Sequence, residues 1–378
     1  MAASIESIGH EVEIVDLTGG LDWKRAVLDV QADLFGITCV TPNFNIVREI
    51  SNLLPKEKPI IIGGVHPTFL PEDTLKNIRC NAIVRGEGEL VIKELIEDFK
   101  KRHLKRVYEG GLVPVDAIPK PARHLVDLHK YRPGGELSTP IYTSRGCPFN
   151  CNFCSKITGR TYRALPVKRV IEEIEDVISL GFKHIVFGDD NLIIQPDRVK
   201  ELLKSIKPLG INFRLNQDAR LVDEEIVSMA SDAGCVEISF GIESGSQKIL
   251  DLMNKCTTVE ANRRAISITQ KHDIKAKAYF IVNFPGEDER TIKETINFAS
   301  ETMPDKWLLS SFVPLPGSDT FQNPIKYGIT WMSKNWDDYY LVGKDGRFRP
   351  CFMTEDLSIE RQIYLHDMLY EELKEILG

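Results

Sequence analysis

Three cysteines stand close together in the segment Cys147-Pro-Phe-Asn-Cys151-Asn-Phe-Cys154, and their thiolates are suited to binding a metal centre. Structural zinc sites and ordinary ferredoxin-type clusters take four protein ligands. The nearest other Cys or His residues along the chain are His129 and His184, both well outside this segment. The segment therefore predicts a centre with either an open coordination position or a fourth ligand that is distant in sequence.

The composition is that of a globular protein with more than one domain. Of 378 residues, 42% are hydrophobic and 27% are charged, which excludes a disordered or disulfide-dense chain. The net charge of −7 does not favour sequence-independent binding to nucleic acid. No apolar run is long enough to span a membrane, and the first residues do not resemble a signal peptide. We therefore expect a cytoplasmic protein whose cysteines are reduced.

Up to about residue 100, short apolar runs alternate with helical patterns. Strands are expected at residues 11–16, 34–40, 59–64 and 82–85. Buried strands that alternate with helices are typical of a parallel sheet covered on both faces, and such sheets bind ligands at the carboxyl ends of their strands. We therefore expect the loops at residues 38–45, 63–69 and 86–89 to form a ligand site.

A second series of strands and helices begins at residue 138. Residues 106–137 are predicted to be a linker, because they contain several prolines. Residues 138–320 contain six strand–helix units, whereas a closed barrel of this kind needs eight. The sequence therefore predicts a partial, open (β/α)6 barrel with the cysteine segment directly after its first strand. Residues 321–378 are predicted to be a tail that ends in a helix and covers the barrel, with Tyr339, Tyr340, Arg347 and Arg349 as candidates for closing a substrate pocket.

The spacing Cys-x3-Cys-x2-Cys, with Phe153 before the third cysteine, resembles the motif of the radical S-adenosylmethionine (SAM) enzymes. The resemblance implies that Cys147, Cys151 and Cys154 hold a 4Fe–4S cluster whose fourth iron binds the amino and carboxylate groups of SAM. In that family the reduced cluster cleaves SAM to methionine and a 5′-deoxyadenosyl radical, which abstracts hydrogen from a substrate. A zinc site or a passive electron-carrying cluster is the alternative.

Two strand ends fit the same resemblance. The second barrel strand ends in Phe187-Gly-Asp189-Asp190-Asn191, and the resemblance implies that Asp189 and Asp190 bind the SAM ammonium, which needs acceptors. An N-cap of the following helix is the alternative for these carboxylates. The fourth strand ends in Gly241-Ile-Glu243-Ser244-Gly, and the resemblance places Glu243 and Ser244 against the methionyl or ribose part of SAM.

Two further residues are candidates for contacts with SAM by the same resemblance. Arg220 is the candidate for binding the SAM carboxylate, with an exposed ion pair as its alternative. Pro285, in the turn Phe284-Pro-Gly-Glu287, is expected beside the adenine, as is the turn at residues 314–318. No residue is assigned a catalytic role from the sequence.

The first segment is similar to that of the cobalamin-binding subclass of this family. The resemblance rests on Gly63-Gly-Val-His-Pro-Thr68 and Val84-Arg-Gly-Glu-Gly-Glu89, and it implies a Rossmann-like (flavodoxin-like) domain over residues 1–105 that places the corrin against the barrel. Glycines at strand ends let a backbone approach a bulky ligand closely. The implied cobalamin contacts are Thr38, Gly63, Gly64, His66, Thr68, Gly86 and Glu87. Because the family's domain usually opens with an additional strand, we expect the first strand to be missing here.

The leading prediction is an enzyme that uses a 4Fe–4S cluster, SAM and cobalamin to methylate an unactivated carbon. Its partners would be an organic substrate and an external one-electron reductant such as flavodoxin or ferredoxin, without nucleic acid or a membrane span. One alternative is a radical SAM enzyme that rearranges or oxidises its substrate and whose first domain no longer binds cobalamin. Another is an iron–sulfur electron carrier or binding protein.

Overall fold

The computed structural model describes residues 1–17, 22–130, 138–342 and 348–378. Its two larger sheets are parallel, with four and six strands, and two short antiparallel pairs accompany them. Arg347, one of the candidates in the tail, lies outside the described residues. None of the helices in the described ranges is both long and apolar enough to cross a membrane.

The first sheet follows the chain order and packs between helices. Its strands are β1 (Phe35–Thr38), β2 (Ile60–Gly63), β3 (Ala82–Arg85) and β4 (Val107–Glu109). The helices of this part are α1 (Ala2–Glu6), α2 (Trp23–Leu28), α3 (Phe44–Leu53), α4 (Val65–Phe69), α5 (Pro71–Asn77) and α6 (Ile92–Lys100). Apolar residues on both faces of β2 and β3 are buried against these helices, as expected for a doubly covered parallel sheet.

Two details of this part differ from the sequence expectation. Residues 11–16 form no strand, so that prediction is wrong. An alternating apolar pattern becomes a strand only where a neighbouring backbone pairs with it, and in the described residues β1 pairs with β2 alone. In addition, β4 joins the first sheet although it lies inside the segment predicted to be a linker.

The second half of the chain forms the predicted open barrel. Its strands are β5 (Ser138–Ile141), β6 (Ser144–Arg145), β7 (Arg163–Ala164), β8 (His184–Phe187), β9 (Asn212–Gln217), β10 (Cys235–Glu243), β11 (Lys275–Val282), β12 (Lys306–Ser311), β13 (Trp331–Met332) and β14 (Phe352–Met353). Six of them, β5 and β8 to β12, form one parallel sheet in chain order whose outer strands do not pair with each other. The prediction of a partial (β/α)6 barrel is thus confirmed.

Helices cover the outside of this sheet, and the last one closes the core. They are α7 (Val167–Ser179), α8 (Pro196–Ile206), α9 (Glu224–Asp232), α10 (Gln247–Leu252), α11 (Val259–Lys271), α12 (Glu289–Thr302), α13 (Asp319–Gln322) and α14 (Ile359–Leu377). Single 3-10 turns occur at Thr41–Asn43, Val115–Ala117, Arg123–Leu125, Leu128–Lys130, Lys207–Leu209, Ala219–Leu221, Pro324–Tyr327 and Trp336–Asp338. Leu365, Leu369 and Leu373 of α14 belong to the core of the barrel, so the expected helix of the tail packs on the barrel.

Candidate active site

The three cysteines lie on residues 146–162, a segment between β6 and β7 that we call the cysteine loop. Arg145 of β6 and Arg163 of β7 are opposite each other in the register of this antiparallel pair, which closes the neck of the loop. Gly146 has a φ of +85°, and a Cβ there would collide with the backbone oxygen of Thr161. Only glycine fits this position without displacement of the neck. The loop is therefore held at its base directly after the first barrel strand.

The cysteine loop borders a cavity of about 420 Å³ at the carboxyl ends of the barrel strands. This volume is in the range of small-molecule and cofactor sites. The lining combines the three thiols with polar side chains from several strand ends, including Cys147, Cys151, Cys154, Asp189, Asp190, Asn191, Asp218, Glu243 and Lys255. The structure thus brings the three cysteines together with Asp189, Asp190 and Glu243, as the sequence analysis expected.

The donor set of the loop fits an iron–sulfur cluster. Cys147 and Cys151 are buried, Cys154 is partly buried, and all three are free thiols. Asn191 donates a hydrogen bond of 3.4 Å from Nδ2 to the sulfur of Cys147. Among the residues that the structure describes, no three His, Cys, Asp or Glu side chains are grouped around a single-ion position. In a 4Fe–4S cluster each thiolate binds a different iron, so the cysteines need not meet at one point.

Asp189 and Asp190 differ in what their carboxylates contact. Asp189 is buried and accepts hydrogen bonds from the backbone N and Oγ1 of Thr143, at 3.0 and 2.9 Å, and from the hydroxyl of Ser144. Burial raises the pKa of Asp189, and these hydrogen bonds offset only part of that effect. Asp189 therefore ties the end of β8 to the residues after β5. Asp190 instead exposes its side chain at the cavity.

A buried ion pair faces the cavity at the end of β10. Glu243 has a φ of 64°, which is uncommon for a residue other than glycine. Its Oε1 lies 2.7 Å from Nζ of Lys255, and the same Nζ lies 4.0 Å from Oδ2 of Asp218. Burial acts to lower the pKa of Lys255, but the two carboxylates outweigh it and raise the pKa. The ammonium of Lys255 is therefore charged at neutral pH.

Arg220 connects β9 to the cysteine loop. Its Nε and Nη2 each donate to a different oxygen of Asp218 at 2.9 Å, and its guanidinium lies 3.9 Å from the ring centre of Phe149. Burial alone would raise the pKa of Asp218, but the hydrogen bonds from Arg220 and the charge of Lys255 lower it. Arg220 itself does not line the cavity.

Ser244 and Pro285 are buried and do not belong to the lining of the cavity. Oγ of Ser244 lies 3.1 Å from Oγ1 of Thr295 and accepts a hydrogen bond of 3.1 Å from the backbone N of Ser246. Pro285 follows β11 in the turn that leads to the buried Glu287. Ser244 directly follows the cavity residue Glu243, and its contact with Thr295 joins the end of β10 to α12.

Several residues of the cavity lining were not predicted from the sequence, among them Asn191, Asp218 and Lys255. Asp218 directly follows β9, so the rule that polar residues at strand ends form sites would have identified it. Asn191 belongs to the segment in which only the two carboxylates, Asp189 and Asp190, were predicted to bind SAM. Lys255 follows the short helix α10, and its two partners come from other segments, so no local pattern marks it.

The expected cobalamin loops lie together at the carboxyl end of the first sheet. Gly64 has a φ of 105°, and a Cβ there would approach the backbone of Cys39 to 2.8 Å. Thr68 Oγ1 donates to the oxygen of Gly64 at 2.7 Å and accepts from the backbone N of Gly86 at 3.0 Å, so the loops after β2 and β3 are joined. Thr38 is exposed at the end of β1, next to Gly63 at the end of β2.

His66 lies beneath these loops, fully buried and with both ring nitrogens engaged. Nδ1 is 3.2 Å from Oγ1 of Thr41, and Nε2 is 3.1 Å from Oδ2 of Asp73. Burial lowers the pKa of His66, while Asp73 acts in the opposite direction. The indole of Trp336, from the tail, donates to the same Asp73 oxygen at 3.2 Å and packs 5.0 Å from the His66 ring. His66 therefore joins the first domain to the tail.

Another residue of the tail, and one residue of the loop at residues 86–89, also form contacts between domains. Tyr340 donates from its hydroxyl to Oδ1 of Asn43 at 3.1 Å, whereas Tyr339 is buried and donates to the oxygen of Ser333 at 2.9 Å. Glu87, expected to contact cobalamin, instead pairs with Arg163 at the neck of the cysteine loop, 2.5 Å from its Nη2.

Comparisons with known proteins agree with both halves of this architecture. The pattern of the radical SAM superfamily matches residues 141–299, and that of the B12 binding domain matches residues 1–96. The chain is 32% identical to an uncharacterized methyltransferase of Pyrococcus horikoshii, over 96% of this chain and 85% of the relative. It is 29% identical to the bacteriochlorophyllide d C-12(1)-methyltransferase of Chlorobaculum tepidum, over 88% of this chain and 75% of that protein.

A solved structure shows the same fold over nearly the whole chain. It is that of TsrM, a radical SAM methyltransferase from Kitasatospora setae, solved with cobalamin and a 4Fe–4S cluster. The TM-score is 0.78 with 17% identity, and the match covers 97% of this chain and 86% of the other. At this level of identity the likeness concerns the fold.

Proposed function

The chain belongs to the radical SAM superfamily and contains a B12-binding domain, and from this we infer that it is a cobalamin-dependent methyltransferase. The observation that carries this proposal is the cavity in which the three-cysteine loop meets the polar ends of the barrel strands. When bound, a 4Fe–4S cluster, SAM and cobalamin supply radical and methyl-transfer chemistry that amino acid side chains lack. The substrate is an organic molecule with an unactivated carbon, and a one-electron reductant such as flavodoxin or ferredoxin supplies the electrons.

Cys147, Cys151 and Cys154 are the residues that would hold the cluster. Their loop is fixed at its neck by β6 and β7, so the three thiols are presented together at the mouth of the barrel. Asn191 would stabilise the charge of a thiolate at Cys147 through its hydrogen bond to the sulfur. The cluster would thus have three protein ligands, which leaves one iron for SAM.

Negatively and positively charged residues of the cavity would together orient SAM. Asp190 and Glu243 provide carboxylates for its ammonium group, and the buried ammonium of Lys255 is suited to its carboxylate. Arg220, the candidate from the sequence, already binds both oxygens of Asp218 and stacks on Phe149. Because Lys255 lines the cavity and Arg220 does not, we assign the SAM carboxylate to Lys255 and regard Arg220 as a support for the cysteine loop. Ser244 and Pro285 would keep the strand ends beside the nucleoside in place.

The exposed edge of the first sheet would take up cobalamin. Thr38, Gly63 and Gly64 leave room for a bulky ligand there, because two of them are glycines and the third is exposed. Thr68 and Gly86 would fix the shape of this edge through the hydrogen bond that joins their loops. His66 would support the edge from below, since both of its nitrogens are engaged within the protein.

The first test is the cofactor content after anaerobic purification and reconstitution with iron, sulfide and hydroxocobalamin. We expect about four irons per chain, as in one 4Fe–4S cluster, together with bound cobalamin. The triple variant C147A/C151A/C154A should lose the iron and keep the cobalamin, whereas C80A, which changes a cysteine of the first domain, should keep both. Iron that persists in the triple variant would contradict the cluster assignment.

The second test follows the methyl group. With a strong reductant the reconstituted protein should cleave SAM to 5′-deoxyadenosine and methionine. Isotope-labelled methyl from SAM should appear on cobalamin after its reduction. SAM cleavage without labelled methylcobalamin would favour a radical SAM enzyme that does not methylate, the alternative raised from the sequence.

A further inference from the structure

Glu87 of the first domain lies between the two arginines that close the cysteine loop. Its Oε1 is 2.5 Å from Nη2 of Arg163, its Oε2 accepts from Nη1 of Arg163 at 2.9 Å, and Nη1 of Arg145 is 3.4 Å from Oε2. Arg145 also pairs with Glu89, at 2.7 Å. Since Arg145 and Arg163 are paired across β6 and β7, one carboxylate contacts both sides of the neck.

This ion cluster is largely enclosed, and both carboxylate oxygens of Glu87 have partners in it. The exposed fraction of the Glu87 side chain is 4%, and that of Arg163 is 13%. The backbone N of Val113 donates a further hydrogen bond to Oε2 of Glu87 at 2.7 Å, and Arg163 donates to the backbone oxygens of Val113 and Thr158. Burial alone would raise the pKa of Glu87, but Arg163, Val113 and Arg145 outweigh it and lower the pKa. Glu87 is therefore a buried carboxylate whose two oxygens are both paired within the protein.

The backbone around Glu87 is fixed as well. Gly110 lies so close to the backbone oxygen of Glu87 that a Cβ there would overlap it. The backbone N of Gly110 donates to the oxygen of Arg85 at 2.8 Å. The carboxylate of Glu87 thus stands on a rigid part of the first sheet and reaches across to the barrel.

We propose that Glu87 is a positioning residue that couples the cobalamin-binding domain to the cysteine loop. Through Arg145 and Arg163 it sets the place of the loop, and hence of a cluster on Cys147, relative to the edge of the first sheet. This inference rests on the proposed function, because it concerns the distance between two cofactors. It assigns Glu87 to the interface between the domains, whereas the sequence pattern had indicated a direct contact with cobalamin.

The experiment compares E87Q with E109Q in the full chain. Both variants replace a glutamate that pairs with an arginine by its neutral isostere, but the pair of Glu109 with Arg85, at 2.7 Å, is on the surface of the same domain. In the cofactor-free protein, hydrogen exchange of residues 144–164 should become faster by about tenfold or more in E87Q, as expected when hydrogen bonds to a charged group are lost. In E109Q the exchange of this segment should equal that of the wild type.

A second readout uses the cofactors themselves. If Glu87 couples the two sites, addition of cobalamin, with reductant in excess so that the cluster stays reduced, should change the electron paramagnetic resonance spectrum of the cluster in the wild type and in E109Q. In E87Q at equal iron content, the same addition should change the spectrum little. If E87Q does not fold, E89Q, which removes only the second partner of Arg145, should show the same effects to a smaller degree.

The inference would be overturned if the rate of hydrogen exchange of residues 144–164 were the same in E87Q as in the wild type. It would also be overturned if hydrogen exchange in E87Q became faster to the same degree over the whole chain. A cluster spectrum that responds to cobalamin equally in E87Q and wild type would also overturn it. Absence of iron and cobalamin from the wild type would instead contradict the proposed function. The exchange measurement on cofactor-free protein keeps the two failures distinguishable.

Discussion

Lys255 is the residue on which the charge balance of the cavity depends. Its ammonium is buried between the carboxylates of Glu243 and Asp218, at 2.7 and 4.0 Å. Two buried carboxylates without a cation would repel each other, so Lys255 stabilises their arrangement. The same charge faces the cavity, where the carboxylate of SAM needs a cationic partner.

We predict that K255M weakens SAM binding by about 10- to 100-fold, the loss expected for a hydrogen bond to a charged group. The measurement is equilibrium binding of SAM to the reconstituted protein, with iron content determined in parallel. K248M is the matched control, because Lys248 pairs with Asp288 on the surface at 3.3 Å. SAM affinity in K255M equal to that of K248M would show that the SAM carboxylate binds elsewhere.

Glu287 is a second buried ionisable residue, and it makes stability depend on pH. Burial raises its pKa from 4.5 to about 8, and its Oε1 has no hydrogen-bond partner within the protein. Between these two values the folded protein holds a proton that the unfolded chain has released. The contribution of Glu287 to stability therefore falls as the pH rises across this interval.

The variant E287Q removes this titration while it preserves the shape of the side chain. The quantity to compare is the free energy of unfolding of E287Q minus that of the wild type. We expect this difference to be larger at pH 8 than at pH 5, by an amount on the order of a few kcal/mol. Denaturant unfolding of the cofactor-free protein at both pH values measures it, with E260Q as a surface control. An equal difference at both pH values would show that Glu287 is ionised when folded.

At the residue scale the sequence is informative where chemistry depends on local spacing. The three cysteines are recognisable because their separation along the chain is itself the motif. Lys255 and Asn191 are not recognisable, since Lys255 contacts Glu243 and Asp218 and Asn191 contacts Cys147 only after the barrel has formed. Glu87 shows the same limit, because its motif indicated a ligand contact whereas its partners are arginines far along the chain.

At the scale of elements, the parallel strands follow from the sequence and the short pair β6–β7 does not. Strands such as β2 and β11 are continuous apolar or alternating runs, which local patterns identify. The strands β6 and β7 have two residues each, too few for a periodic pattern. Residues 11–16 show the opposite case, in which an alternating pattern has no pairing strand among the described residues.

The neck formed by β6 and β7 can be tested through its glycine. We predict that G146A loses most of its capacity to bind iron, because the added Cβ collides with the backbone oxygen of Thr161 at a positive φ. G210A is the matched control, since Gly210 also has a positive φ but has open space around its Cβ position. Conformational strain alone should cost G210A about 1–2 kcal/mol and leave its iron content unchanged.

Two measurements distinguish the variants. One is the iron content per chain after reconstitution, and the other is the midpoint of thermal unfolding of the cofactor-free protein. If G146A and G210A lose equal stability and both retain iron, the neck tolerates a side chain and does not determine the geometry of the loop.

At the scale of the whole molecule, the first domain contacts the rest of the described chain at several places. The ion cluster of Glu87 is one, and the contact between His124 and Glu6, with 2.8 Å between Nε2 and Oε1, is another. A third is the tail, where Trp336 packs on His66 and Phe44 and binds Asp73. No sequence pattern predicts these connections, because each joins residues from separate folding units.

We predict that W336F lowers the free energy of unfolding by about 1–2 kcal/mol, because it removes the hydrogen bond to Asp73 and part of the packing on His66. Since His66 lies beneath the loops proposed to bind cobalamin, W336F should also weaken cobalamin binding. W331F is the matched control, as Trp331 lies in β13 with 41% of its surface exposed. Thermal unfolding and titration with hydroxocobalamin measure both effects. A W336F protein that loses stability but binds cobalamin as W331F does would show that the tail supports the fold without shaping the cobalamin site.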